Sequence, residues 1–200
     1  MNPRDIKALH DRKARAIARR PTFAHASGQA RVVLDAGFTC LVEDQDRRLA
    51  ADLPSVDGGD AAGPSPDQLM RASLGAALAI GYRLWGARLE VPLAGVAVEV
   101  TSVHDTRGQL GVADVAVGWQ RLCVDVTITS AAPEADVRRV VETADRLSPM
   151  LANISSRVIR THRLTVVSER FVPREVTPLK AKPNPADGKK PTRSPQGDGT

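Results

Sequence analysis

The chain offers few residues able to do covalent or metal chemistry, and their spacing limits them further. Its two cysteines, Cys40 and Cys123, are far apart and neither has a Cys-x-x-Cys companion, so they supply neither a disulfide framework nor half of a zinc site. The four histidines, His10, His25, His104 and His162, have no ligating partner at i+3 or i+4, and no metal and no cofactor is expected. No Gly-x-Ser-x-Gly elbow is present, and no Ser/His/Asp set can be picked out from the sequence. The run "GGDAAG", residues 58–63, lacks both the Lys-Ser/Thr of a phosphate-binding loop and the G-x-G-x-x-G spacing. It reads as a tight turn feeding a helix.

The two thiols differ in setting. Cys40 alternates with Phe38 and Val42, which places it on the apolar face of a strand as a small core residue. Cys123 falls in "WQRLCVDVTI", where Leu122, Val124, Val126 and Ile128 form the apolar face. It therefore shares the other face with Arg121, Asp125 and Thr127. A neighbouring guanidinium favours the thiolate that reactive cysteines require, so Cys123 is the candidate reactive thiol, and an inert structural cysteine is the competing reading.

The elements that must position these groups follow from periodicity. Residues 3–20 place Ile6, Leu9, Ala14 and Ile17 at mixed three- and four-residue spacings, the pattern of a basic amphipathic helix. "ARVVLDAGFTCLVE", residues 30–43, is rich in β-formers and broken at Ala36-Gly37, and a shorter strand over Arg48 to Ala51 follows. Ser65, Pro66 and Asp67 form a helix start: a capping hydroxyl, a proline at the first position, and an acid at the positive end of the dipole. The helix they open, Pro66 to about Leu89, is apolar on most of its circumference between Ala72 and Tyr82, which marks it as central and buried. Strands are expected at Val96 to Val103 and Trp119 to Thr129, an amphipathic helix from Pro133, a break at Ser148-Pro149, a second short helix, and a last strand over residues 161–169. Strand runs that neighbour one another imply antiparallel pairing, so the class is α+β.

With 42% apolar but only 3% aromatic residues, the core must be built mainly from Val, Leu and Ala. The net charge of +5 is concentrated at the ends: residues 1–20 hold seven Lys/Arg against two Asp, and residues 172–200 hold six against three acids. The body between is mildly acidic, and a nucleic-acid reader places its basic residues on the folded surface, so nucleic acid is not an expected partner. The longest uncharged run in the apolar helix, between Arg71 and Arg83, is well short of the roughly 20 residues of a membrane span. No signal-like apolar segment opens the chain. A soluble cytoplasmic protein is the expectation, organised as a basic N-terminal helical extension (1–28), one domain (29–171) and a disordered basic tail (172–200).

Two segments together carry a family resemblance. "DLPSVDGGDAAGPSPDQLMRASLGAALAIGYRLWGARL", from Asp52, resembles the signature of the OsmC/Ohr family, in which a "DEP"-like turn, a "GG…GP(S/T)P" loop and a buried helix containing "LGAC" follow one another. "ETADRLSPMLANIS" resembles the family's second helix segment, where a Cys usually precedes the Pro. The resemblance spans roughly Gln29 to Glu169. It implies an OsmC-like fold, an intertwined homodimer with antiparallel sheets wrapped around long central helices. It also implies the chemistry of organic hydroperoxide reduction: one thiolate attacks the peroxide, a second resolves the sulfenic acid to a disulfide, and a Glu and an Arg tune the first.

At the positions that carry this chemistry the chain departs from the family. The Cys of "LGAC" corresponds to Ala77, the Cys before Pro to Ser148, and the Glu of the "DEP" turn to Leu53. No residue here is assigned to the family's Arg. Alanine has no nucleophile, and a serine hydroxyl does not cycle through sulfenic acid and disulfide. The expectation is therefore a homodimer without dithiol peroxidase activity that retains a small apolar pocket near Ala77, Ser148 and Leu53, for a small apolar ligand or hydroperoxide. Two alternatives stand beside it. One is a peroxidase using the relocated thiol of Cys123; the other is a non-catalytic interaction protein whose basic ends tether it to an acidic partner.

Overall fold

The computed structural model of the chain describes residues 2–34 and 36–168; the tail expected over 172–200 lies outside the described residues. Helix α1, Pro3–Arg19, starts where the Asn2 side chain accepts the Asp5 N–H and Pro3 occupies the first turn. None of its residues is buried. It lies along the next helix, with Asp11 3.6 Å from Arg88. An exposed ion pair of this kind contributes little, about 0–1 kcal/mol.

Three short strands follow, β1 (Arg31–Leu34), β2 (Cys40–Asp44) and β3 (Arg47–Ala51), paired antiparallel in that order. The turn between β1 and β2 contains Gly37 at φ 65°, the left-handed region glycine enters without penalty. Much of this sheet is uncovered: Val32, Leu34, Phe38 and Leu41 are all exposed, Leu41 to 59%.

The chain leaves β3 through Asp52, which is only 2% exposed. Its carboxylate accepts four hydrogen bonds: from the Thr39 hydroxyl (2.9 Å) and from the N–H groups of Leu53 (2.7 Å), Asp60 (3.2 Å) and Ala62 (3.1 Å). One acid thus folds the whole glycine-rich run around itself. Gly59 is required by the close approach this produces, since a Cβ there would lie 2.1 Å from the Leu53 carbonyl oxygen. The run is a device for packing backbone on backbone.

Helix α2, Pro66–Arg88, begins with a capping box between Ser65 and Gln68. Leu74, Leu78, Tyr82 and Gly86, four residues apart, form its buried face. Its opposite side is open in this chain, with Ile80 69% and Met70 47% exposed.

The second sheet is β4 (Gly95–Val103), β5 (Arg121–Thr129) and β6 (Ile159–Val167), with β5 in the middle. Between β4 and β5 lies a short helix, α3 (Thr106–Gln109). Between β5 and β6 lie α4 (Glu134–Arg146) and α5 (Pro149–Ala152). Antiparallel pairing, expected throughout, holds for β4 with β5, but β6 runs parallel to β5, with Val124 opposite His162. The reason is connectivity: α4 and α5 form a crossover that returns the chain to the same end of the sheet, which is how parallel neighbours are joined. Trp119, expected inside the strand, precedes β5, and its indole N–H donates to Asp67 at 2.9 Å, tying the long connection to the start of α2.

The core lies between α2, α4 and the inner face of β5. Leu122, Val124, Val126 and Ile128 from β5 meet Leu74, Leu78 and Tyr82 from α2 and Val137, Val140, Val141 and Ala144 from α4. Complete burial of a large aliphatic side chain is worth about 1.5–3 kcal/mol. The four from β5 therefore supply an amount on the order of a domain's net stability.

Two outcomes test the Asp52 hub. Gly59→Ala is expected to lower stability by about 1–3 kcal/mol, the cost of forcing apart packed atoms; an unchanged urea midpoint would remove the close-approach argument. Burial by itself raises the Asp52 pKa, but the hydrogen bonds from Ala62, Thr39, Leu53 and Asp60 together hold it below its ordinary 3.8. A carboxyl depressed on folding stabilises the fold above its unfolded value and loses that contribution as the pH falls through its folded one. The melting temperature of Asp52→Asn should accordingly lie below that of the wild type at neutral pH, with the gap closing below pH 3.8.

Candidate functional site

A cavity of about 760 Å³ opens where the end of α4, the segment through α5 and the first half of β6 meet the inner face of β5. This is within the range of roughly 300–1,000 Å³ typical of small-molecule sites. Leu78 of α2, Leu122 and Val124 of β5, and Leu151 and Ile154 from the α5 segment give it apolar walls.

At one end a polar chain crosses three elements. The Tyr82 hydroxyl donates to Asp145 Oδ1 at 2.8 Å, and His162 Nδ1 lies 2.8 Å from Asp145 Oδ2. The Tyr82 and His162 rings are stacked, with centroids 6.5 Å apart and planes 20° from parallel. Burial, then the Asp145 carboxylate and the hydrogen bond to it, pushes the Tyr82 hydroxyl well above its ordinary 10.0. Tyr82 is therefore a proton donor to Asp145 across the working pH range. With Nδ1 engaged, the imidazole is fixed in one orientation, and Nε2 makes no hydrogen bond to any described residue.

Ser148 also lines the cavity, and its hydroxyl oxygen accepts the Leu151 N–H at 3.3 Å as the N-cap of α5. Arg146 and Arg160 line it as well and have no carboxylate partner among the described residues. Other arginines of the body do: Arg71 with Asp67, Arg88 with Asp11, Arg163 with Asp125.

Of the residues singled out in the sequence, Ser148 lies at this cavity, while Ala77 on α2 and Leu53 in the Asp52 loop are not among its lining residues. Cys123 is on the opposite face of the strand that forms the wall: Leu122 and Val124 line the cavity, and strand alternation turns Cys123 away from it. There its thiol donates to Asp125 Oδ2 at 3.7 Å. Asp125 is in turn held by Arg163 of β6, whose guanidinium, together with the charge it carries, depresses the carboxyl. The basic group beside Cys123 is thus Arg163, reached through the parallel register, as well as Arg121 two residues away. Cys40 sits on β2, in the other sheet. Among the described residues no group of three His, Cys, Asp or Glu is placed to hold a metal ion, and no helix is long and apolar enough to cross a membrane.

Tyr82, Asp145 and His162 were not legible as a set, yet the first two carry a faint signal. Tyr82 is the chain's sole tyrosine and stands in a buried helix, where its hydroxyl must find a partner. Asp145 is an acid in the last turn of α4, the end at which the helix dipole disfavours negative charge. Neither signal names the other residue.

With this geometry in hand, comparison with known proteins gives a consistent result. The family pattern described as OsmC-like protein matches residues 58–162. No curated protein matches the sequence. Among solved structures, the chain is similar to an OsmC-like protein from Mycoplasma pneumoniae, with 16% identity, a TM-score of 0.62, and coverage of 71% of this chain and 98% of that one. It is similar to an organic hydroperoxide resistance protein OsmC from Legionella pneumophila, at 19% identity and a TM-score of 0.56, covering 70% and 98%. A third likeness is to an organic hydroperoxide resistance protein from Elizabethkingia anophelis with thiocyanate bound, at 13% identity and a TM-score of 0.54, covering 72% and 98%. At these identities the likeness shows a shared fold.

The polar chain can be tested through its buried donor. Tyr82→Phe keeps the ring but leaves Asp145 short of one partner, and hydrogen bonds to charged groups are worth about 1.5–3 kcal/mol. A loss of that size in urea denaturation is expected; no loss would mean that water replaces the hydroxyl at no cost.

Proposed function

The chain belongs to the OsmC family, and on that premise we propose that it is a homodimeric member without dithiol peroxidase chemistry that keeps a pocket for binding a small, largely apolar molecule. The observation that carries this reading is where the thiols lie. Neither cysteine lines the cavity, and Ala77 and Ser148 stand at the two positions that correspond to the family's reactive pair. A pocket with apolar walls and no thiol can hold a peroxide or another small molecule but cannot reduce it by the two-cysteine route.

The homodimer is supported by what a single chain leaves uncovered. One side of α2 and the apolar residues of the first sheet face outward, including Ile80, Met70, Val32 and Leu41. Exposed apolar surface of this kind marks an interaction site. A second copy is the occupant that the family's assembly implies.

The runner-up, a peroxidase working through Cys123, draws support from the Arg163 guanidinium near the thiol. It requires the chemistry to run on the outer face of the sheet, and it has no second cysteine in that sheet to resolve a sulfenic acid.

Mixing the purified protein with cumene hydroperoxide and either dithiothreitol or a lipoyl donor separates these readings. Turnover at the buffer background is expected. Rapid turnover lost in Cys123→Ala, with a trappable sulfenic acid in the wild type, would replace the leading reading with the runner-up. Rapid turnover that survives loss of both cysteines would defeat both. Sedimentation equilibrium is expected to give twice the chain mass, and Ile80→Asp is expected to shift the population toward monomer.

A further inference from the structure

The cavity beside Tyr82, Asp145 and His162 has a charge pattern that an apolar site does not need. Arg146 and Arg160 line it, and His162 presents Nε2 without a protein partner among the described residues. The one acid among the lining residues, Asp145, has each of its oxygens engaged, Oδ1 by Tyr82 and Oδ2 by His162. Both oxygens thus already have protein partners, and one of them orients the imidazole. Beside Asp145 the lining carries two guanidinium groups, an imidazole nitrogen, several hydroxyls and five large aliphatic side chains.

We propose that this cavity binds an amphipathic monocarboxylate. The carboxylate is held by Arg146 and Arg160, beside Nε2 of His162, and the hydrocarbon lies against Leu78, Leu122, Val124, Leu151 and Ile154. Guanidinium groups suit this task because their planar forks match the two oxygens of a carboxylate. A guanidinium left without an acidic partner in a cavity mouth loses less on binding an anion than one that must first break an ion pair. Asp145 contributes as a positioning residue: its contact with Nδ1 leaves Nε2 as the nitrogen that meets the ligand. Tyr82 holds Asp145 in turn. The volume of about 760 Å³ accommodates a chain of medium length with its head at the cationic side.

The proposal rests on the reading that the pocket binds small molecules, so its test pairs a charged probe with a neutral one of equal length. Isothermal titration of the full chain with decanoate and with decanol, each below its aggregation concentration, is the measurement. Decanoate is expected to bind at one site per chain, at least tenfold more tightly than decanol. The double substitution Arg146→Gln with Arg160→Gln removes two exposed side chains and should leave the melting temperature unchanged while weakening decanoate tenfold or more, with decanol unaffected. His162→Gln is expected to weaken decanoate by a smaller factor. Equal affinities for the two probes, or a double variant that binds decanoate as the wild type does, would overturn the carboxylate assignment and leave the apolar-pocket reading intact. Binding of neither probe would sink both.

Discussion

The fold is governed by the need to cover α2. A helix that is apolar around most of its circumference has to be buried on more than one side, and a three-stranded sheet with one helix beside it can cover only one. The face formed by Leu74, Leu78, Tyr82 and Gly86 is sealed by β5 and α4. The other face, marked by Ile80, stays exposed in the described chain. The same shortage recurs in the first sheet, where Val32, Leu34, Leu41 and Leu49 are exposed in the described chain. One constraint thus sets where the core ends and which apolar surface stays open.

The site follows from the same arrangement. Because α4 and α5 carry the chain over the sheet and back, β6 lies parallel to β5, and residues distant in sequence come to one end of the core. Asp145 gathers them, one oxygen to the tyrosine of α2 and one to the histidine of β6. The carboxylate costs the helix a little at its C-terminal end. That cost is offset by the Tyr82 hydrogen bond and the His162 contact, which join three elements. The cavity therefore has one firm polar edge and otherwise yielding apolar walls.

Much of this organisation was legible in the residues. The helix start at Pro66 follows from its capping residues, the first helix from its apolar spacing, and the two faces of β5 from strict alternation. These signals are local, a few residues long, and need no knowledge of the fold. The parallel placement of β6 was not legible, because register between strands separated by a crossover is fixed by how α4 packs, and no local pattern records it. The Tyr82–Asp145–His162 chain depends on that register and was lost with it. The Asp52 loop was read only in part: its composition announced a turn, but nothing in "DLPSVDGGDAAGPSP" says that one buried carboxylate holds it together.

The pleat of β5 has a practical consequence. A single strand serves as a partition, with Leu122 and Val124 forming the cavity wall and Cys123, between them, facing out behind it. The thiol is thus a built-in attachment point only one backbone thickness from the ligand space, yet outside it. A fluorophore or spin label placed there would sense changes in the wall without occupying the chamber, turning a cysteine that the family's chemistry has no use for into a reporter on whatever the chamber holds.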